Sequence, residues 1–481
     1  MTPGPDHHLV DRALSVHAAA EERPTHIALI AQDGRRWTWS ELSAEVSAVE
    51  PEIVPGSGVL AATSTFATVF GILASIDRAL PFAPIDPRIS GQERQARIDL
   101  LETDFRSGAA ETGQETPSPD DRRPLAVLFT SGSTGTPRAV ELSRSAFAAS
   151  ARASEERLGW REDDRWLCVL PLAHVGGFSI LTRCLIARRT IVLLERFDAE
   201  LVSDTIDREM VTIASFVPTM LSRLLAREPG RRAPESLRTV LLGGAPAPDA
   251  LWSDALRRGF PLLETWGMTE TCSQVATAIP GESPRSPVPL RGWSVRSRDG
   301  RLEVKGPSLL SRYIDSGGAG PSEPPFADDG WFSTGDLGTV NPDGSISIGG
   351  RADEMIVTGG ENVSPAEVER VLESVPGVRR AVVVGLHDPE WGETVAAALE
   401  IEPGRLLEQD PGAKATPADR VKQDLQVVMD ERLATFGRPR TVIWMQRLPE
   451  TSAGKIDRAE VRRRILHETG DGSRLEPSHG A

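Results

Sequence analysis

At 481 residues the chain is longer than one hydrophobic core normally supports, so at least two domains are expected. Its 39% hydrophobic content includes no run of about eighteen apolar residues, which argues against any membrane span, and the start MTPGPDHHLVDRAL lacks the basic and apolar regions of a secretion signal, so a cytoplasmic location is expected. A net charge of −15 argues against a nucleic-acid partner and gives no long-range attraction for anionic small molecules, so any cation that helps to bind one must be local.

Residues 28–47 read as two short strands around an Asp33-Gly34 turn, followed by a helix capped near Ser40. Residues 58–87 read as a strand, a helix over 69–78 and a strand ending at Ile85-Asp86-Pro87, the rhythm of a parallel sheet. The polar stretch 106–123 has little apolar content and reads as a surface loop. Then comes LAVLFTSGSTGTPRAV, residues 125–140, in which an apolar run of β-formers stops at Thr130 and small hydroxyl and glycine residues follow. Thr130, Ser131, Gly132, Ser133, Thr134 and Gly135 offer hydroxyl donors and backbone amides that can close around an anion, with Arg138 as a nearby cation. Phosphate is the natural guest. The spacing is not a Walker A loop, since no Gly-Lys-Ser/Thr closes it and no helix follows directly. A Gly/Ser linker is the bland alternative, disfavoured because the segment joins a buried strand to another apolar segment.

After a helix over 145–158, strands at 166–170, 190–194, 211–216, 238–242 and 261–265 alternate with helices at 178–187, 199–209, 219–227 and 249–258. Such alternation predicts doubly wound α/β layers with ligands off the carboxyl ends of the strands, where Thr130 and Gly243 are expected to lie. From about residue 284 short strands with turn signals, such as 301–305 and 345–348, predict a small antiparallel β subdomain, with 316–325 as a surface loop. Beyond Arg351, helices at 365–375 and 418–433 and strands at 380–385, 394–401 and 441–446 predict a smaller α+β domain, with a disordered tail from about Glu468. The expected class is therefore α/β: a large N-terminal domain, residues 1–351, carrying the antiparallel subdomain, and a C-terminal domain, residues 352–481.

Several constellations carry chemistry. Trp266-Gly267-Met268-Thr269-Glu270 follows a strand end and offers a flat face for adenine, a phosphate donor in Thr269 and a hard oxygen ligand for Mg²⁺ in Glu270. Alone, the pentapeptide could be an ordinary strand–helix junction. In Ser333-Thr-Gly-Asp336-Leu-Gly338 one carboxylate in a tight turn can accept from two ribose hydroxyls, or can simply satisfy its own turn. Gly359-Gly360-Glu361-Asn362 leads into Ser364-Pro365-Ala366-Glu367, which pairs an N-cap serine and first-turn proline with a capping-box glutamate. Four lysines, Lys305, Lys414, Lys422 and Lys455, stand against fifty arginines, so a lysine suggests a place where arginine does not serve. Cys168, Cys184 and Cys272 are scattered without metal spacing and read as reduced small hydrophobes.

TSGSTGTPRAV resembles the phosphate loop of the adenylate-forming enzymes, the superfamily of acyl-CoA synthetases, adenylation domains and luciferases, although the usual Lys-Gly is here Arg138-Ala139. The resemblance covers roughly residues 28–465, and it implies ATP, Mg²⁺ and coenzyme A as ligands with a small-molecule carboxylic acid as substrate. It also implies that Gly243-Gly244-Ala245 forms an adenine wall, that Arg351 reaches ribose, and that Asp353 is a hinge. The Gly359-Gly360 loop would line the pantetheine tunnel of a mobile C-terminal domain, and Lys455 would be the catalytic lysine, a compact charge at the α-phosphate. A plain surface lysine is the alternative.

The stretch Leu170-Pro-Leu-Ala-His174-Val-Gly-Gly-Phe178 bears on the acid, with His174 a candidate for catalysis and substrate binding. Amino-acid-activating members carry an aspartate soon after it, whereas no acid occurs between Pro171 and Glu195, so an acid without an α-amine is expected. Helical projection puts Arg183 with Ser179 and Ala187, away from Phe178, Leu181 and Leu185, where it could be an ordinary solvated arginine. Residues 168–277 are similar to the o-succinylbenzoate-CoA ligases of menaquinone biosynthesis, whose equivalent arginine is placed to meet the benzoate carboxylate. Those ligases often have Phe and Ser where this chain has Ala173 and Gly176. The rivals are a ligase for another aryl or acyl acid, an enzyme loading a carrier protein, and a catalytically silent nucleotide-binding homologue.

Overall fold

A computed structural model describes residues 7–50, 66–108, 123–130, 138–314, 326–327, 329–401, 417–451 and 453–469. The apolar runs that alternate with helices build one nine-stranded sheet. Its order is Val288–Pro289, Ser273–Thr277, Leu262–Met268, Thr239–Gly243, Ile213–Phe216, Arg165–Cys168, Thr190–Leu193, Ile27–Ala31 and Arg36–Thr38. The six inner strands are parallel, and the strands at both edges are antiparallel. Thr190–Leu193 and Ile213–Phe216 are buried at every position, which is why they read as unbroken apolar runs rather than alternating ones. One side of the sheet packs around Trp39, Trp166 and Phe178, the other around Leu221, Leu225 and Trp252.

The helix Trp39–Ala48 is capped by Thr38 rather than Ser40, because Glu41 stands three residues after Thr38 and completes a reciprocal capping box. The strand Pro124–Thr130 corrects the expectation that the phosphate loop springs from the parallel sheet. It forms an antiparallel hairpin with Arg138–Ser143, and Arg312–Ile314 adds a third strand. Thr130 and Arg138 pair across the hairpin mouth. Ser131, Gly132, Ser133, Thr134 and Gly135, and the stretches 58–65, 109–122 and 316–325, lie outside the described residues. The expected strand at Ile85-Asp86-Pro87 is reduced to a single bridge, Phe82 to Ala126. A helix, Gly91–Gly108, extends into the stretch read as a loop; Leu101 and Ile98 pack it against a cluster with Phe129 and Ile314.

The antiparallel subdomain is present as four strands, Ser294–Arg298, Arg301–Lys305, Phe332–Val340 and Ile346–Arg351. From Ile356 onward the chain has cores of its own, in a mixed sheet of Ile356–Thr358, Glu361–Val363, Val378–Asp388, Gly392–Ile401 and Thr441–Met445. Helix Arg458–Thr469, which no sequence signal marked, closes one face through Val461 and Ile465. Among the described residues no helix is long and apolar enough to cross a membrane, and the three cysteines are free and buried.

Candidate active site

The end of strand Thr239–Gly243 and the strand Leu262–Met268 beside it form the floor of the site. Gly243 lies so close to its neighbour that a Cβ would sit 2.4 Å from the Thr265 carbonyl, and at Gly267 a Cβ would sit 1.7 Å from that of Ser273, so only glycine fits either place. Gly244 follows, with half-buried Ala245 beyond it. A Cβ built on Gly244 would stand 3.3 Å from Cε of Lys455. A lysine over two hundred residues downstream thus lies against this wall.

Lys455 is brought there by docking of its segment on helix Pro218–Arg227. The Thr219 hydroxyl donates to the Gly454 carbonyl, Arg223 pairs with Glu450 at 2.5 Å, and Arg379 donates to the Ser222 hydroxyl at 3.0 Å. Lys455 is exposed to water, yet protein groups crowd around its ammonium. That crowding lowers its ammonium pKa below the ordinary lysine range, with Arg351 acting the same way and Asp336 and Glu270 opposing.

Of these groups, Asp336 and Arg351 are linked directly. Asp336 accepts from the Trp266 indole N–H at 2.7 Å and from Arg351 at 3.0 Å. Its carboxylate is therefore bonded to other side chains rather than closing its own turn, and two oxygens with spare lone pairs suit a ribose diol. Burial pushes its carboxyl upward, against the pull of Trp266 and Arg351. Desolvation works to lower the Arg351 pKa, but its bonds to Asp353, at 3.0 and 3.2 Å, and to Asp336 outweigh this and raise it. Trp266 is only 8% exposed: its ring packs against the core and its N–H is bonded to Asp336.

Thr269 and Glu270 lie in a short 3₁₀ turn, Thr269–Thr271, directly after the strand. Glu270 Oε1 accepts from the Tyr313 hydroxyl at 3.1 Å, and the guanidinium of Arg138, the first residue after the phosphate loop, is 5.5 Å from the Tyr313 ring centroid. Among the described residues no cluster of three or more His, Cys, Asp or Glu could hold a metal. A single carboxylate suits Mg²⁺, which keeps waters and takes its other ligands from substrate phosphates.

His174 occupies the N-cap position of helix Val175–Ala187 without capping it. Its Nε2 is 3.9 Å from Asp86. Burial and the nearby Lys455 charge push its pKa down to about 4 against the pull of Asp86, so the ring is neutral at neutral pH. Arg183 is only 3% exposed, which removes the solvated alternative: its helix is buried all round from Gly177 to Leu185. It donates to the Ser150 hydroxyl at 3.3 Å and lies 5.8 Å from the Trp166 ring centroid. Its Nε has no hydrogen-bond partner, and among the described residues no carboxylate pairs with it. Burial lowers its pKa to about 10, so the guanidinium remains charged at neutral pH.

Gly359 and Gly360 are not brought to Lys455. They form the two-residue turn between Ile356–Thr358 and Glu361–Val363, both with positive φ as such turns require. Gly359 donates to the Trp391 carbonyl at 2.9 Å, while a Cβ at Gly360 would meet nothing within 4 Å. The capping box after them does not form: the Ser364 hydroxyl donates to the Gly349 carbonyl at 3.3 Å, leaving Pro365 as the start signal. Sequence reasoning missed Tyr313, Asp86 and the Thr219, Arg223 and Glu450 docking contacts.

Residues 73–308 match the family model described as AMP-binding enzyme, and residues 367–455 match that of the AMP-binding enzyme C-terminal domain. The chain is 38% identical over 346 residues to the 2-succinylbenzoate–CoA ligase of Bacillus licheniformis, covering 69% of this chain and 68% of that one. It belongs to the AMP-binding enzyme family. Another member, the 2-succinylbenzoate–CoA ligase of Bacillus subtilis, is 37% identical over 70% of this chain and 68% of its own. The structure of o-succinylbenzoate CoA synthetase from B. subtilis with the acyl-adenylate intermediate OSB-AMP superposes with a TM-score of 0.76 at 29% identity, covering 93% of this chain and 97% of that one. The same enzyme with ATP and a magnesium ion gives a TM-score of 0.74 at 29% identity, over 93% and 98%. ATP-bound MatB from Rhodopseudomonas palustris shares the fold, with a TM-score of 0.78 at 23% identity over 96% and 99%.

Proposed function

We propose that the protein is an ATP-dependent acid–CoA ligase of the AMP-forming type, acting in the cytoplasm on 2-succinylbenzoate. One observation carries the chemistry: Lys455 lies against Gly244 with Glu270, Asp336 and Arg351 around it. In the first half-reaction a carboxylate oxygen of the acid attacks the α-phosphorus of ATP and pyrophosphate leaves. Negative charge grows on the α-phosphate as the new bond forms, and Lys455 supplies a compact positive charge there. Asp336 and Arg351 hold the ribose, the backbone of Gly243, Gly244 and Ala245 borders the adenine, and Thr130 to Gly135, Thr269 and Arg138 bind the phosphates. Glu270 would hold Mg²⁺, which offsets the charge of the phosphates when bound. In the second half-reaction the CoA thiol attacks the acyl carbon and AMP leaves. Residues 352–481 turn about Asp353 so that the Gly359-Gly360 hairpin borders the pantetheine arm.

The choice of acid is supported by the likeness to 2-succinylbenzoate–CoA ligases and by Arg183. An enclosed guanidinium with no carboxylate beside it among the described residues is matched to an acid that keeps a second, unreacted carboxylate. Neutral His174 offers the acyl group a hydrogen-bonding wall that does not compete for Lys455. The reading is tested by pyrophosphate release from purified protein over a panel of aryl, acyl and amino acids, with CoA as acceptor. Turnover led by 2-succinylbenzoate is expected; release with another acid alone would reassign the substrate, and release with none would leave a silent homologue.

A further inference from the structure

The chain has one tyrosine, against 13 phenylalanines and 10 tryptophans, and that tyrosine lies at the candidate active site. Tyr313 is the middle residue of the strand Arg312–Ile314 and is 6% exposed. Its strand pairs with Arg138–Ser143, the strand that leaves the phosphate loop, in the register Tyr313 to Val140. Arg312 fixes that register by pairing with Glu141 at 2.8 Å. The residues leading into the strand hold the other side. Leu310 N–H donates to the Glu270 carbonyl at 2.8 Å, and the Ser308 hydroxyl donates to the Thr271 carbonyl at 3.3 Å. Segment 308–313 thus straps the turn bearing Glu270 to the hairpin bearing the loop.

Within this strap the phenol makes interactions that phenylalanine could not: its donation to Glu270 Oε1 at 3.1 Å, and an approach of its oxygen to the Arg138 guanidinium. The ring's contact with the same guanidinium, at 5.5 Å to the centroid, would survive loss of the hydroxyl. The hydroxyl therefore has a local task. Glu270 lies within electrostatic reach of the Lys455 ammonium, and a carboxylate left to turn freely would move toward that cation. Held at Oε1 by a neutral donor, it keeps its other oxygen available to a hard cation, as outer-shell partners do for metal ligands elsewhere.

We propose that Tyr313 is a positioning residue for the divalent cation: its hydroxyl orients Glu270 for Mg²⁺, and its ring ties that carboxylate to Arg138 at the exit of the phosphate loop. The inference rests on the reading of Glu270 as the Mg²⁺ ligand. Wild-type, Tyr313→Phe and Glu270→Gln proteins are compared after thermal unfolding has shown each to be folded. Tyr313→Phe is expected to raise the Mg²⁺ concentration for half-maximal pyrophosphate release about tenfold, the lower end for loss of an outer-shell partner, and to leave thioester formation from pre-made acyl-adenylate unchanged. Independently of activity, wild-type protein labelled with [4-¹³C]tyrosine gives one resonance. That resonance is expected to move when Mg²⁺ is added to the ATP-bound protein, beyond any change that ATP with a chelator produces through Arg138, and to lose this Mg²⁺-dependent step in Glu270→Gln. If Glu270→Gln keeps both turnover and the wild-type Mg²⁺ requirement, the reading of Glu270 fails and the inference falls with it. If Glu270→Gln raises the requirement or abolishes turnover, the metal reading stands. In that case either an unshifted requirement in Tyr313→Phe or a tyrosine resonance indifferent to Mg²⁺ overturns the positioning role alone.

Discussion

Arg183 shows how one residue can set stability against function. A buried guanidinium with no carboxylate partner among the described residues costs stability until an anion reaches it. Arg183→Met, apolar and of comparable length, is expected to raise the unfolding free energy by about 1 kcal/mol or more and to lower 2-succinylbenzoate turnover by about 1.5 to 3 kcal/mol, with ATP affinity unchanged. Chemical denaturation and steady-state kinetics read the two effects, and a variant that loses stability but keeps turnover would make Arg183 a packing residue. His174 gives a pH test. Its pKa falls from 6.5 to about 4 on folding, so the unfolded chain binds a proton before the folded one does. Stability from this group is full above pH 6.5 and is lost as pH falls toward 4. Because water reaches a third of the ring, on the order of 1 to 2 kcal/mol is expected. His174→Gln should flatten the slope of stability over that range, and an unaltered slope would place its cause elsewhere. Residue rarity made Lys455 legible among the arginines, and the same reasoning applied to the lone tyrosine would have found Tyr313. Arg183 was half legible. A helical projection assumes one wet face, and here the helix is enclosed on every side.

Among the elements, alternation of apolar runs with helices located five of the six inner strands of the large sheet, because parallel strands buried on both faces announce themselves by composition, and the sixth, Ile27–Ala31, was marked by the Asp33-Gly34 turn that follows it. The hairpin Pro124–Thr130 with Arg138–Ser143 was not legible as such. A buried antiparallel strand has the same apolar run as a parallel one, and its third partner, Arg312–Ile314, lies far along the sequence. Helix Gly91–Gly108 escaped because few of its residues are apolar and its packing stripe is narrow. The turn at Gly359-Gly360 allows a prediction at this scale. Gly360 has φ of +88° and open space beside it, so Gly360→Leu meets backbone strain of about 1 to 2 kcal/mol but no clash. The strain is confined to a hairpin away from Lys455. Pyrophosphate exchange is expected to survive while CoA-dependent turnover falls, since the branched side chain would project into the proposed pantetheine path. An equal fall in both assays would remove the hairpin from the CoA step.

For the whole molecule, the relation between Lys455 and the large domain matters most. Sequence order showed which motifs belong together but not which of them meet, and the docking contacts on helix Pro218–Arg227 carry no local signature. Arg223→Ala is expected to slow adenylate formation about fivefold, on the order of 1 kcal/mol for a partly buried pair, without slowing the thioester step. Comparing Arg223→Ala, Glu450→Ala and the double variant would show whether the pair acts as a unit. The central claim, that Lys455 serves charge developing at the α-phosphate and nothing afterwards, is tested most directly by assaying the two half-reactions of Lys455→Ala separately. The expected result is a loss of at least about a hundredfold in pyrophosphate release, as for removal of a charge-stabilising donor, with thioester formation from pre-made 2-succinylbenzoyl-adenylate and CoA at the wild-type rate. An equal loss in both half-reactions would contradict it.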